Sequence, residues 1–371
     1  MAVASSAISH SSTATGSPPR ADVQLRIGHR RLGSSAATRL SRGGPPVEWA
    51  NVPAMRIVRR AVATLLVCAA ATVVGSSPAT ADPGDAADPG AAVPVPDGVT
   101  ASFAVYDRER GEFTATRDLH APFRSASVVK LLIALDELIQ HDPELDLAKA
   151  TTDEQREEIL ALRTMLRSSW DYAASAFWVR NGFTDVIDRM TALIGLTDTS
   201  PPVEPGIWGY TVTSATDVVK IYNYILDVTP EKYRDFIMGN LYAVTRCAED
   251  GRDQSFGIPQ AFARPWGVKQ GWSGWGATVP DEQRCVEDSA GMGEYAGPVP
   301  AMKEEPNSQA DFASPLLHTT GTVGSDKRSI VVVFTTYPRD TSWPQGAAAI
   351  TELCESLRPF VPDSHSLPQE A

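Results

Sequence analysis

Between Phe123 and Gln140 the chain reads FRSASVVKLLIALDELIQ, an apolar run into which one ammonium, Lys130, is set three residues after Ser127. Val128, Val129, Leu131, Leu132, Ile133, Leu135, Leu138 and Ile139 leave little polar face, so the spacing predicts a helix buried on most of its circumference. Such a helix needs a substantial body of protein packed around it. Burial also favours the neutral form of a lysine, by up to about 3–5 pKa units when complete. A neutral amine is a base. Residues three apart on a helix are neighbours, about 5–6 Å between Cβ atoms, so Lys130 can reach the Ser127 hydroxyl. Ser125, five residues from Lys130, lies about 140° round a helix and is not served in the same way. Ser127 and Lys130 thus have the form of a nucleophile with its base. The bland reading is that Ser-x-x-Lys recurs by chance and that a lysine near a helix end can carry its ammonium out to water.

The first part of the 371-residue chain does not read as folded protein. Residues 1–54 are rich in Ser, Ala, Gly, Pro and Arg without apolar periodicity and are expected to be an over-long extension ahead of the natural start at Met55. Residues 55–81 then read as a secretory signal peptide, with Arg56, Arg59 and Arg60, an apolar stretch from Ala61 to Val74, and the small-residue site Ala79-Thr80-Ala81. The stretch is too short for an ordinary membrane span. Val67 is a poor residue to precede a lipid-modified Cys68, so a secreted or cell-envelope protein with no membrane span after processing is expected rather than a lipoprotein.

Cleavage after Ala81 would remove 9 of 33 basic and 2 of 45 acidic residues, leaving a formal net charge of −19. That balance argues against nucleic acid and anionic membranes as partners. Only 7 of the basic residues are lysines, so a lysine inside a motif carries information. His120, His141, His318 and His365 show no paired spacing, which predicts no metal site, and no cofactor is expected. His318, in LLHTTG, reads as a strand residue with a satisfied hydrogen bond rather than a catalyst.

Residues 82–99 form a Pro/Gly/Ala/Asp linker with no expected core contribution, and 100–361 carry the folded pattern. ASFAVYDRERGEFTATRD predicts two strands about a polar turn. A helical lobe follows over about 131–261, with Thr151, Thr152 and Asp153 as candidate caps, Asn181-Gly182 as a stop, and Ser214 as the N-cap of SATDVVKIYNYILD. RPWGVKQGW, PLLHTTGTVG and RSIVVVFTTYP predict three strands, the last two joined at Gly324-Ser325-Asp326, and an amphipathic helix closes the chain. The order predicts an α/β (α+β) fold: an antiparallel sheet flanked by helices plus an all-helical lobe.

Two more short patterns can complete an acyl-transfer site. Ser169-Trp170-Asp171 is the only Ser-x-Asp after residue 81, Lys269-Gln270-Gly271 the only Lys-x-Gly, and Ser127 to Lys130 the only Ser-x-x-Lys. In that order the three motifs resemble those of class A β-lactamases and penicillin-binding proteins, the β-lactamase/transpeptidase-like superfamily, with the look of an actinobacterial-type secreted serine hydrolase. The resemblance covers roughly Ala101 to Pro359 and includes Ala173-Ala174 after the second motif. It implies Ser127 as the acylated nucleophile, Lys130 as base or proton shuttle, and Ser169 as proton relay to the leaving group. Lys269 would attract a substrate carboxylate, Asp171 and Gly271 would contact substrate, and the backbone N–H groups of Ser127 and Trp272 would form the oxyanion hole. A β-lactam or a D-alanyl peptidoglycan stem peptide is the implied substrate.

The chain departs from the pattern at several points. Asp171 stands where the family usually has asparagine, Trp170 where it has aspartate, and Gln270 where it has threonine or serine. Glu204 is the only carboxylate between Thr199 and Ala215, the place of the family's deacylating glutamate; it is either that base or a solvated loop residue. Trp266, Trp272 and Trp275 either wall a groove or pack in the core and at the edge. An insertion over 276–313 replaces a short connection and reads as disordered or as a lid. Cys285 lies in it and Cys247 precedes the Lys269 strand, while Cys354 suits burial on the closing helix; a Cys247–Cys285 disulfide is expected, three unrelated thiols being the alternative. A rival to the enzyme is an inactive envelope protein that keeps the fold to bind a wall peptide or another protein.

Overall fold

The computed structural model describes residues 92–276, 278–286, 310–324 and 326–362. The expected extension at 1–54, the signal peptide at 55–81 and most of the 276–313 insertion fall outside the described residues. The linker expected over 82–99 does contribute to the core where it is described: Val93 is buried, and Val95 and Val99 pack beside it.

Alternation in the strands builds the sheet. β1 (Thr100–Asp107) and β2 (Glu112–Arg117) form a hairpin, followed by a short pair made of β3 (Phe123–Arg124) and β4 (Val212–Thr213). β5 (Trp266–Ser273), β6 (Leu316–Val323) and β7 (Ser329–Thr336) complete a five-stranded sheet of order β2-β1-β7-β6-β5, antiparallel throughout. β7 shows how two faces are covered. Ile330, Val332 and Phe334 join the core on the helical-lobe side, while Val331 and Val333 join the core under the closing helix. Successive side chains point to opposite faces, so SIVVVFTT is apolar on both because both are covered.

The helical lobe holds α1 (Lys130–His141), α2 (Asp153–Arg167), α3 (Asp171–Arg180), α4 (Asp185–Ile194), α5 (Ala215–Asp227) and α6 (Glu231–Tyr242). A short α7 (Ile258–Ala261) and the closing α8 (Trp343–Ser356) cover the other face of the sheet. Local chemistry sets the boundaries. Thr152 and Gln155 form a reciprocal capping box at the start of α2, and the Ser214 hydroxyl accepts from Asp217 N–H at the start of α5. Asn181 ends α3. In α1 every residue from Lys130 to Leu138 is buried, Asp136 and Glu137 included. A buried carboxylate needs a partner. Asp136 receives Arg189 through two hydrogen bonds of 2.8 Å, and Glu137 receives Arg180 and Asn181.

The segment around Ser127 differs from the uniform helix its composition predicts. Ala126–Val129 is a 3-10 turn, and the α-helix starts only at Lys130. Ala126 sits at φ 44°, a left-handed conformation with no glycine to announce it. In a 3-10 turn side chains three apart eclipse each other. Lys130 therefore stands directly over Ser127, closer in register than an α-helix would put it.

Candidate active site

Two separate pieces of chain, the Ser127 turn and the Ser169–Asp171 turn, meet at Lys130. Its Nζ lies 2.9 Å from Ser127 Oγ, 3.1 Å from Ser169 Oγ, 2.6 Å from Ser169 O and 2.5 Å from Asp171 Oδ1. Lys130 is wholly buried, and Ser127 and Ser169 are nearly so. Burial pushes the Lys130 ammonium below the usual lysine range, while the opposite charge of Asp171 pulls it partly back. A neutral amine has two N–H donors and one lone pair. Ser169 O and Asp171 Oδ1 can only accept, so they take both donors and leave the lone pair for the Ser127 hydroxyl.

Ser169 is fixed between α2 and α3 at φ 62°. A non-glycine residue there is held by its surroundings, and such strain gathers at functional sites. On its far side Lys269 Nζ donates to Ser169 Oγ at 2.9 Å and to Gln270 O at 2.9 Å. Lys269 is 1 % exposed, and burial together with the Lys130 charge holds it well below the usual lysine range. The Ser169 hydroxyl thus bridges two amines, an arrangement able to pass a proton.

β5 is the sheet edge that delivers Lys269 and Gly271. A side-chain carbon at Gly271 would lie 3.1 Å from Val128 Cγ2, 3.2 Å from Ser125 O and 3.4 Å from Ser127 N. Glycine there lets the strand stand directly against the Ser127 turn. Gln270 faces away from the cluster and is fully buried. Its Nε2 donates to Gln254 O at 3.0 Å and Phe256 O at 2.7 Å, which ties the 245–256 segment to β5.

That segment is also stitched to the end of α2. Glu249 N–H donates to Ser168 O and Gln254 Nε2 to Arg167 O, so Asp250 arrives beside the Ser169 turn. Trp272 Nε1 donates to Asp250 Oδ2 at 2.8 Å. Asp250 keeps 43 % of its side chain exposed, yet dense surroundings raise its carboxyl above the usual range. Cys247 and Cys285 are joined in a disulfide, and Cys285 N–H donates to Gly251 O. Cys354, on α8, is a free and buried thiol.

Other sequence candidates fall as follows. Glu204 is exposed and is not among the polar partners of Lys130; the same loop instead lays the Trp208 ring over Lys130 Nζ, 4.8 Å from its centroid. His318 is buried between Leu317 O and Arg124 O, a structural position in β6. Trp266 is buried in the core, and Trp272 and Trp275 pack on Trp343. Among the described residues no cluster of His, Cys, Asp or Glu could hold a metal ion, and no helix is long and apolar enough to cross a membrane. Trp208 and Asp250 were not signalled as site residues by the sequence. Each is placed by tertiary contacts, the only local hint being the Asp250-Gly251 turn.

No family model matches the chain. It is similar to proteins named "Putative lipoprotein LppW" from Mycobacterium tuberculosis and Mycobacterium bovis, 36 % identical over 179 residues, which is 47 % of this chain. The match spans about half the length, 54 %, of those curated relatives. Among solved structures it is similar to PBP-A, with 13 % identity over 72 % of this chain and 92 % of that one at a TM-score of 0.47. A β-lactamase from Sphaerobacter thermophilus gives 14 % identity over 71 % and 92 % of the two chains, also at 0.47.

Proposed function

We propose that this chain is an extracytoplasmic serine acyl-transfer enzyme of the penicillin-recognising class, working through an acyl-enzyme on Ser127. The observation that carries the reading is the buried relay Ser127 Oγ, Lys130 Nζ, Ser169 Oγ, Lys269 Nζ, each step 2.9–3.1 Å. Lys130, lowered by burial, takes the Ser127 proton as Oγ attacks the substrate carbonyl carbon. The oxyanion is assigned to the backbone N–H groups of Ser127 and Trp272, from the turn and strand that Gly271 brings together. As the tetrahedral intermediate collapses, the proton passes from Lys130 through Ser169 to the leaving nitrogen or oxygen. Water then releases the acid and restores Ser127.

β-Lactams and D-alanyl stem peptides are the donors that the sequence resemblance implies, and the signal-peptide pattern supports an envelope or secreted location. A second reading, an inactive binding protein, draws on the Asp171 contact to Lys130, which favours the charged and non-basic amine. A fluorophosphonate probe separates the two. Mass spectrometry should find the adduct on Ser127, and Ser127→Ala and Lys130→Ala should lose it. Labelling at Ser125 or Ser169 instead would reassign the nucleophile, and no labelling at all would remove the enzyme reading in favour of the binding protein.

A further inference from the structure

The loop that carries Glu204 turns a different side chain toward the nucleophile. Trp208 opens a 3-10 turn over Trp208–Tyr210, and its ring lies over Lys130 with 4.8 Å between Nζ and the ring centroid. Both the ring and the backbone that carries it are held. Trp208 Nε1 donates to Ser175 Oγ on α3 at 3.1 Å, and Trp178 Nε1, also on α3, donates to Pro205 O at 2.7 Å. Two residues after Trp208, the buried Tyr210 ring stands 5.1 Å from that of Phe312 and 5.3 Å from the Arg124 guanidinium. Gly209 passes so close to the nucleophile turn that a side-chain carbon there would lie 3.8 Å from Ala126 Cα. The ring leaves Lys130 only if the Ser175 bond breaks.

Hydrolysis of an acyl-enzyme needs a water placed beside a base. Lys130 is wholly buried, with Ser127, Ser169 and Asp171 as its polar partners and the indole laid across another side. An indole has no hydrogen-bond acceptor, and this one has spent its N–H on Ser175, so it offers a water nothing to hold. Glu204, four residues before it, is exposed and is not among the partners of Lys130. The proton path left to a second nucleophile is the one the leaving group used, through Ser169 Oγ, 3.1 Å from Lys130 Nζ and 2.9 Å from Lys269 Nζ.

Resting on the acyl-transfer reading, we propose that Trp208 determines the acceptor: it withholds hydrolytic water from the Ser127 acyl-enzyme, so that the acyl group passes to an amine arriving by the leaving group's path. The amine nitrogen attacks the ester carbonyl carbon, the C–N bond forms as the C–Oγ bond breaks, and the nitrogen's proton returns through Ser169 and Lys130 to Ser127 Oγ. Water taking the same path gives the free acid slowly. The ring over Lys130 also favours the charged amine. That second effect acts on acylation and deacylation alike, whereas exclusion of water acts on hydrolysis alone.

The test uses the full chain and 4-nitrophenyl hexanoate at pH 8, with enzyme-free rates subtracted and glycinamide as the amine probe. Nitrophenolate release separates a burst, which is acylation, from a linear phase, which is deacylation; mass spectrometry locates the adduct and counts hexanoyl-glycinamide against hexanoic acid. The parent should show a burst equal to the enzyme, a slow linear phase, and a faster one that yields amide when glycinamide is present. Trp208→Ala should raise hydrolysis relative to its own acylation rate by about tenfold or more and turn product from amide toward acid. Trp208→Phe, which keeps an apolar ring, should stay near the parent. Ser175→Ala, which frees the indole, should give a smaller rise and serves should Trp208→Ala not fold. No rise in the folded variants overturns the inference, as does a Trp208→Ala variant whose acylation and hydrolysis change by the same factor. A parent that forms the Ser127 adduct and hydrolyses it without a burst overturns the inference and leaves the acyl-transfer reading standing. No Ser127 adduct at all removes both.

Discussion

Asp171 Oδ1 stands 2.5 Å from Lys130 Nζ, so the amine placed to deprotonate Ser127 also faces a carboxylate. Burial and this carboxylate act in opposite directions on Lys130, and burial is the larger. Only the neutral amine can accept the Ser127 proton.

Asp171→Asn should therefore lower the Lys130 pKa further and make the base available at lower pH. The acid limb of the acylation pH profile should move to lower pH, with several-fold faster acylation on the acidic side of the parent limb. Rates of single-turnover acylation across pH check this. A limb that stays in place would mean that Asp171 does not set the protonation of the base.

Gly271→Ala tests the close approach of β5 to the nucleophile turn. The new carbon would meet Val128 Cγ2 at 3.1 Å and Ser125 O at 3.2 Å, tighter than ordinary contacts. The backbone carbonyl cannot swing away as a side-chain tip could, so the Ser127 turn must move. Overpacking of this kind costs about 1–3 kcal/mol. The loss in acylation rate should exceed what a urea melt shows in stability, because the displaced group is the nucleophile itself. Parent-like acylation would show that the turn accommodates the methyl group freely.

The motif residues were legible because each sits in a short pattern occurring once after residue 81, and because strand alternation and caps such as Ser214 are local signals. The illegible parts depend on distant chain. Nothing near Gln270 says that its amide will hold Gln254 O and Phe256 O, and nothing near Ala126 announces a left-handed residue. Trp208 over Lys130 replaces the expected attention to Glu204, since a loop's inward residue is chosen by what it packs against. Val93 enters the core for the same reason, although its Pro/Gly-rich surroundings read as linker.

The Cys247–Cys285 disulfide closes a separation of 38 residues and, with the Cys285 N–H bond to Gly251 O, braces the segment that carries Asp250. The chain-entropy model assigns such a loop about 3–4 kcal/mol. Cys247→Ser with Cys285→Ser should lower unfolding free energy by that order in urea and slow acylation at 25 °C, as Asp250 and the Ser168 contact loosen. Unchanged acylation alongside lost stability would confine the disulfide to a structural role.

His318 links stability to pH. Its ring lies between Leu317 O and Arg124 O, contacts that favour protonation, but complete burial outweighs them and the Arg124 charge adds to the opposition. The folded pKa falls from 6.5 to about 4. Because the folded value is depressed, the unfolded chain binds the proton more readily between those two values. Stability from this group is thus complete above about pH 6.5 and is lost as pH falls toward 4, a swing of about 3 kcal/mol. Urea unfolding at pH 7 and pH 4 measures the swing for the parent and for His318→Gln, which keeps polar atoms near both carbonyls. The parent should lose about 3 kcal/mol more than the variant over that interval, since other titrating groups are common to both. Equal losses in the two proteins, or an imidazole NMR titration near 6.5 in the folded state, would show that His318 is not held neutral by its burial.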